Sequence, residues 1–174
     1  YDDKTQSWVN HFMKIRRTVN KLDAFHRLKL TGVSIPRITA DLVEAMKWQE
    51  KGTIILARTT ATGYDGEGIK VVRPGETLPS SPSMWYSAYV PKILEYRISV
   101  VNGGVVDVQQ KKVKDGFTQD KDQKLIRTSS GGWVLCRENI MSPSSHTKLN
   151  CTAALNSLGL HFGGVDVVVD KETG

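Results

Sequence analysis

The sequence predicts an α+β protein, and three observations carry that reading. Strand-like runs arrive in consecutive groups with single helical patterns between them, in the order α, β, α, β, β, β, β-hairpin, β, α, β. One pair of runs is joined by "VNGGVV", a tight-turn signal between apolar residues. Neither an internal repeat nor a low-complexity tract interrupts the pattern, and strands do not alternate with helices as in a doubly wound parallel sheet. At 174 residues the chain can bury one good core, or two small lobes sharing a cleft.

Taken in order, Trp8, Phe12, Ile15, Val19, Leu22, Phe25 and Leu28 recur in steps of three and four, which predicts helix with a break near Asn20. "VSIPRIT" is extended, since Pro36 forbids helix. "DLVEAMKWQEKG" reads as a second helix with Asp41 near its start and Gly52 as its stop. "TIILART" and "GIKVV" are strands on either side of a glycine-rich loop, and the proline-rich "RPGETLPSSPS" is a connector. "MWYSAYV" and the hairpin "LEYRISVVNGGVVDVQQKKV" follow as strands, then a polar, exposed "DGFTQDKDQK". "GGWVLC" is a further strand. "SSHTKLNCTAALNSLGL" is a helix with a serine cap and Gly159 at its end, and "HFGGVDVVVD" reads as a buried strand.

Composition bounds the function. Hydrophobic residues at 39% and charged residues at 24% are ordinary for a globular protein, and no apolar run nears the roughly 20 residues of a membrane helix. Cys136 and Cys151 lack CxxC spacing and nearby histidines, so both read as buried thiols of a reducing, cytoplasmic setting. A net charge of +6 points to anionic partners. Residues 1–37 hold Lys4, Lys14, Arg16, Arg17, Lys21, Arg27, Lys29 and Arg37 against Asp2, Asp3 and Asp23; a solvated basic face explains that cluster as readily as a binding surface.

The loop in "ARTTATGYDGEGIKVV" holds Gly63, Gly66 and Gly68. It fits neither a Walker pattern nor a dinucleotide fingerprint, because it joins two strands. A long hairpin turn is one reading. A flap whose backbone N–H groups approach phosphate is the other. Arg58, on the strand leading in, would point beneath such a flap. In "YVPKILEYRISVV", Glu95 and Arg97 stand two apart on one strand face, with Lys112 on the return arm; a surface ion pair between Glu95 and Arg97 is the plain alternative. Tyr89 and Val90 offer a backbone edge before that strand. Asp166 interrupts an apolar strand, where a carboxylate needs a cation, a metal or solvent. His161 reads as a packing histidine.

These stretches, in this order, resemble the ATP-grasp superfamily, and within it the RimK-like carboxylate–amine ligases, phage-encoded versions included. "NKLDAFHRLKLTGVSIPRI" resembles the family's first helix, "IILARTTATGYDGEGIKVV" its strand–flap–strand, and "YVPKILEYRISVVNGGVV" its adenine-hinge strand. "IRTSSGGW" resembles the arginine segment before the next helix, and "LGLHFGGVDVVVD" the first metal-ligand strand. The likeness spans about residues 18–174. It implies an ATP-grasp fold with a small lobe at 18–87 and a large lobe at 88–174, after a helix or linker at 1–17.

The resemblance further implies that Lys21 and Arg58 contact ATP phosphates beneath Gly66 and Gly68, with arginine where the family usually has lysine. Tyr89 and Val90 would meet adenine through their backbone. Arg97, Lys112 and Arg127 would face the γ-phosphate or the acceptor carboxylate, and Asp166 would hold Mg²⁺. The implied activity is Mg²⁺-dependent joining of a carboxylate substrate to an amine substrate through an acylphosphate, with an amino acid, peptide or protein as acceptor. The family's Glu-x-Asn metal ligands would fall just past Gly174, so the sequence reads as a piece of a longer chain. The rival expectation is a non-catalytic ATP-grasp-derived module for nucleic acid or an acidic protein, with nucleic acid the less favoured partner.

Overall fold

In the computed structural model, which describes residues 10–82 and 84–171, the chain forms two four-stranded antiparallel sheets with four helices among the described residues. The leading helical pattern breaks at Asn20: α1 (Phe12–Val19) ends there and α2 (Lys21–Leu30) begins. Asn20 has extended backbone and its Oδ1 accepts from the amides of Leu22 and Asp23, so one residue stops one helix and caps the next. Trp8, the first apolar position of the pattern, lies outside the described residues.

The first sheet contains β1 (Ile38–Thr39), β2 (Ile55–Arg58), β3 (Ile69–Val72) and β4 (Trp85–Ala88), in the order β1-β4-β2-β3. Helix α3 (Leu42–Glu50), capped by the Asp41 carboxylate on the Val43 amide at 2.8 Å, covers one face. Ala45 and Trp48 pack there against Ile55, Ala57, Val72, Leu78, Met84 and Tyr86. Burying Ile55 or Val72 stabilises this lobe by about 1.5–3 kcal/mol per side chain. β4 is buried along its whole length, so its other face is covered too.

The second sheet contains β5 (Lys92–Val101), β6 (Gly104–Val113), β7 (Trp133–Cys136) and β8 (Phe162–Asp170), in the order β7-β6-β5-β8. Asn102 (φ 46°) and Gly103 (φ 80°) make the two-residue turn between β5 and β6, the left-handed pair a tight hairpin requires. Helix α4 (Ser145–Leu158) lies on one face, with Ser144 as its cap and Gly159 (φ 67°) at its end. Tyr96, Ile98 and Val100 meet Cys151 and Leu155 to form the second core.

Two expectations are corrected. β8 is not buried throughout; Val165, Val167 and Val169 face the core while Gly164 and Asp166 are exposed, because β8 is an edge strand covered on one side only. Cys136 is only partly buried, whereas Cys151 is fully buried and desolvation pushes its thiol up to about 11. Helix α2 touches both lobes: the Phe25 ring lies 6.1 Å from that of Trp85, and the Thr31 hydroxyl donates to the Ser157 hydroxyl at 2.7 Å. Among the described residues no helix is long and apolar enough to cross a membrane.

Candidate functional site

The alternation of β2 sends Ile55 and Ala57 into the core and Arg58 to the opposite face. There its guanidinium lies 4.9 Å over the Trp85 ring and its Nε donates to the Ser87 hydroxyl at 3.3 Å. Burial pushes the Arg58 pKa down to about 10, which leaves it charged at neutral pH. No described carboxylate forms an ion pair with it. Lys21, in the first turn of α2, donates its ammonium to the Gly63 carbonyl and its amide to the Ala61 carbonyl. Its pKa is lowered, first by burial and next by the Arg58 charge, while Asp166 and Glu67 oppose the shift. Lys21, Arg58 and Asp166 thus share one electrostatic neighbourhood, across both lobes.

The glycine loop arches over this face. Gly66 (φ 84°) and Gly68 (φ 69°) both adopt left-handed backbone. A Cβ on Gly66 would come within 2.7 Å of Thr128 Cγ2 in the second lobe, and one on Gly68 within 2.5 Å of Thr59 Oγ1. The loop is therefore held down on the second lobe, not splayed as a free hairpin turn.

On the second sheet, the face away from α4 carries Glu95, Arg97 and Asp166. Glu95 is buried and surrounded by cations: Lys92 Nζ at 2.8 Å, Lys111 Nζ at 2.8 Å and Arg127 Nε at 3.8 Å. Three positive charges around one carboxylate leave an excess of positive charge. Arg127 stacks 4.4 Å over Trp133 and reaches the Lys92 carbonyl at 3.4 Å, and burial lowers the pKa of both Arg127 and Lys92. Glu95 Oε2 takes the Lys92 ammonium at 2.8 Å, whereas Arg127 Nε is buried without a hydrogen-bond partner. That N–H is a donor left over for an incoming polar group.

The structure does not bring Lys112 to this face. Its ammonium bonds the carbonyls of Glu138 at 3.2 Å and Asn139 at 2.5 Å, and Lys111 stands by Glu95 instead. The reason is a β-bulge. Val100 pairs with Val105 and Ser99 with Asp107, which leaves Val106 without a partner. A plain two-residue hairpin would have put Lys112 on the Glu95 face; one extra residue exchanges the two lysines. Lys92 was missed for a parallel reason. It lies three positions from Glu95, so alternation puts it on the opposite face, but the pairing register shifts between Lys92 and Leu94.

Arg97 is paired not with Glu95 but with Asp166, directly across the β5–β8 ladder, by two parallel bonds of 2.9 Å. Both Asp166 oxygens are thereby occupied, and its side chain is 51% exposed. Among the described residues no group of three His, Cys, Asp or Glu could hold a metal ion, so the residues present do not build a Mg²⁺ site around Asp166. Between the lobes, the Tyr89 amide is committed to the Ile54 carbonyl at 2.9 Å, whereas the Val90 N–H and carbonyl take no bond among the described residues. Of the two residues, only Val90 keeps both its backbone donor and its backbone acceptor. Together these groups put a half-buried arginine and lysine below the glycine loop and an over-compensated carboxylate opposite, an arrangement chemically suited to a polyanion.

No protein-family model matches the chain, and no curated protein matches it. Solved structures do. The chain is similar to the ATP-grasp ligase PsnB complexed with a minimal precursor, at TM-score 0.68 and 12% identity, covering 100% of this chain and 55% of PsnB. It is similar to D-alanine–D-alanine ligase from Bacillus anthracis at TM-score 0.68 and 13% identity, covering 94% of this chain and 57% of that one. The macrocyclase MdnB from Microcystis aeruginosa matches at TM-score 0.60 and 22% identity, over 98% and 53% of the two chains. The chain spans about half the length of these structures. At such identities the likeness speaks for architecture, and with two α+β lobes, a glycine flap and a cationic cleft in place, this chain has the ATP-grasp fold.

Proposed function

We propose that the chain is the nucleotide-binding part of an ATP-dependent carboxylate–amine ligase, of the kind its RimK-like resemblance implies. The observation that carries the reading is Arg58, half-buried beneath the flap with no carboxylate partner among the described residues, beside Lys21. Buried cations without carboxylate partners are retained where an anion binds them. Support comes from PsnB structures that hold Mg and ADP with a phosphomimetic variant of the minimal precursor, at TM-score 0.66, or with the minimal precursor, at TM-score 0.62.

In this reading Lys21 and Arg58 take the phosphates of ATP, Gly66 and Gly68 let the flap backbone approach them, and Val90 meets the adenine edge. The nucleotide enters as its Mg²⁺ complex. A substrate carboxylate oxygen attacks the γ-phosphorus and ADP leaves, giving an acylphosphate. Lys111, Arg127 and Arg97 stabilise the charge on the transferred phosphoryl group. An amine then attacks the acyl carbon, phosphate departs with the C–O bond electrons, and the amine loses a proton. The product is an amide, and neither free cysteine is needed as a nucleophile. A peptide is the acceptor class we favour, since the PsnB structures hold precursor peptides.

The test is ADP release by the full-length protein with Mg·ATP and a panel of carboxylates, amines and acidic peptides, with mass spectrometry for loss of one water on joining. Peptide-stimulated ADP release with that mass change supports the ligase; nucleotide binding without turnover across the panel overturns it. A second reading, a binding module for an acidic protein, is favoured by one feature. Lys14, Arg17 and Arg27 line a cavity of about 180 Å³ against the end of α4, with no aromatic ring among the lining residues to stack a base. It predicts salt-sensitive binding of acidic peptides that survives Arg58→Ala.

A further inference from the structure

The flap tip is tied to the second lobe by its own side chain. Asp65 sits between β2 and β3 with φ 46°, a left-handed backbone that non-glycine residues rarely adopt. Its carboxylate accepts from the Ser129 amide at 3.0 Å, the Ser129 hydroxyl at 2.6 Å and, more weakly, the Ser130 amide at 3.5 Å. Those amides open a tight turn: the Gly132 amide donates to the Ser129 carbonyl at 3.0 Å, and the Trp133 amide to the Thr128 carbonyl at 3.1 Å. Beside Asp65, Gly66 is pressed against the same segment, where an added Cβ would meet Thr128 Cγ2 at 2.7 Å and Ile126 Cγ2 at 3.2 Å. Arg127 is carried between those two residues, and Trp133 is the ring on which it stacks.

We infer that Asp65 is a positioning residue that couples closure of the flap to the seating of Arg127. The inference rests on the ligase reading for the role of Arg127, while the coupling stands on geometry alone. With the flap down, Asp65 satisfies the exposed amides of the 128–132 turn, and that turn holds Arg127 between Trp133 and Glu95. With the flap up, the Ser129 and Ser130 amides lose their acceptor and Ile126 and Thr128 lose the backbone packed on them. The arginine that faces the transferred group is then in place only when the nucleotide is enclosed, so hydrolysis in an open cleft is disfavoured. A salt bridge at the same spot would close the flap equally well but would not order the turn. The donors are backbone amides and a hydroxyl of the turn itself, so it is the turn that gains.

The test uses full-length protein without nucleotide, comparing wild type with Asp65→Asn and Ser129→Ala. Asparagine tolerates the left-handed backbone and keeps one acceptor, so the fold survives while the charge and the bond from the Ser129 hydroxyl are lost. Hydrogen exchange read by peptide mass should rise by about tenfold in both the 62–68 flap and the 126–132 segment for each variant. A rise confined to the mutated side, or none, overturns the coupling. With nucleotide, Asp65→Asn should lower kcat and leave KM for ATP within about twofold, as Arg127→Lys should. A raised KM at unchanged kcat would reduce Asp65 to a flap clasp and overturn the inference. A wild-type protein without turnover would sink the ligase reading alone, and the exchange data would still decide the coupling.

Discussion

At the scale of single residues, the cleft separates charges that hold the fold from charges left for a ligand. Arg37 and Arg58 each have one ring and one hydroxyl, Trp48 and Thr53 for Arg37, Trp85 and Ser87 for Arg58, but Arg37 is exposed to water whereas Arg58 is half-buried beneath the flap. Arg58→Ala should therefore weaken Mg·ATP binding by some 10- to 150-fold, the worth of a charge-assisted contact of roughly 1.5–3 kcal/mol, with little change for Arg37→Ala. Calorimetric titration decides it; equal losses would make the effect general electrostatics. The two neighbouring lysines make a sharper contrast. Lys111→Ala removes one of three partners of buried Glu95 and should cost about 1–3 kcal/mol in urea unfolding. Lys112→Ala leaves two carbonyls able to take water and should stay within about 0.5 kcal/mol. The Arg97–Asp166 bridge, half exposed on both sides, adds no more than about 1 kcal/mol.

At the scale of elements, the flap depends on glycine for two separable reasons. Gly66 and Gly75 have nearly equal left-handed backbone, φ 84° and φ 85°, but only Gly66 lacks space for a Cβ. Gly75→Ala should cost the backbone term alone, about 1–2 kcal/mol. Gly66→Ala should in addition keep the flap from closing, seen as faster limited proteolysis within 59–68. Equal proteolysis of the two variants would show that the Thr128 contact does not matter. The latch has its own pH dependence. The Ser129 hydroxyl, and then its amide, hold the Asp65 carboxyl below the usual range, with the Lys111 charge a smaller aid. A carboxyl lowered on folding contributes above its unfolded value of about 3.9, and that contribution is lost as pH falls through the lowered folded value. The Ser129 amide shift in NMR should stay constant from pH 7 to 5 and move only below about 4.

At the scale of the whole molecule, two lobes with separate cores meet along one cleft, and α2, the flap and the Tyr89–Val90 hinge are its three sides. Val90 keeps its backbone N–H and carbonyl among the described residues, one donor and one acceptor that the nucleotide base would meet in the proposed function. We expect Mg·ATP to bind more tightly than Mg·GTP by at least about tenfold, since a guanine edge reverses the donor and acceptor and leaves buried groups unmatched. Equal affinities in competition binding would remove Val90 from the site. The distribution of charge fits the same picture. The α1–α2 region holds most of the excess positive charge on the outside, while the cleft holds buried cations around a single carboxylate.

How much of this was legible beforehand follows from the range of the forces involved. The sequence by itself determined the elements, because their signals are local. Asn20 stops and starts a helix through bonds to its own neighbours, Asn102-Gly103 folds back on itself, and Ser144 and Gly159 bound α4 within one turn. It also determined that Glu95 and Arg97 share a face, which alternation alone decides. Only the tertiary structure decided who pairs with whom. The bulge at Val106 exchanges Lys112 for Lys111, and the register shift at Lys92 turns a third cation onto Glu95. The β5–β8 ladder gives Arg97 to Asp166, across 69 residues of chain. Register is a property of two strands at once, set by one inserted residue, and no single strand encodes it.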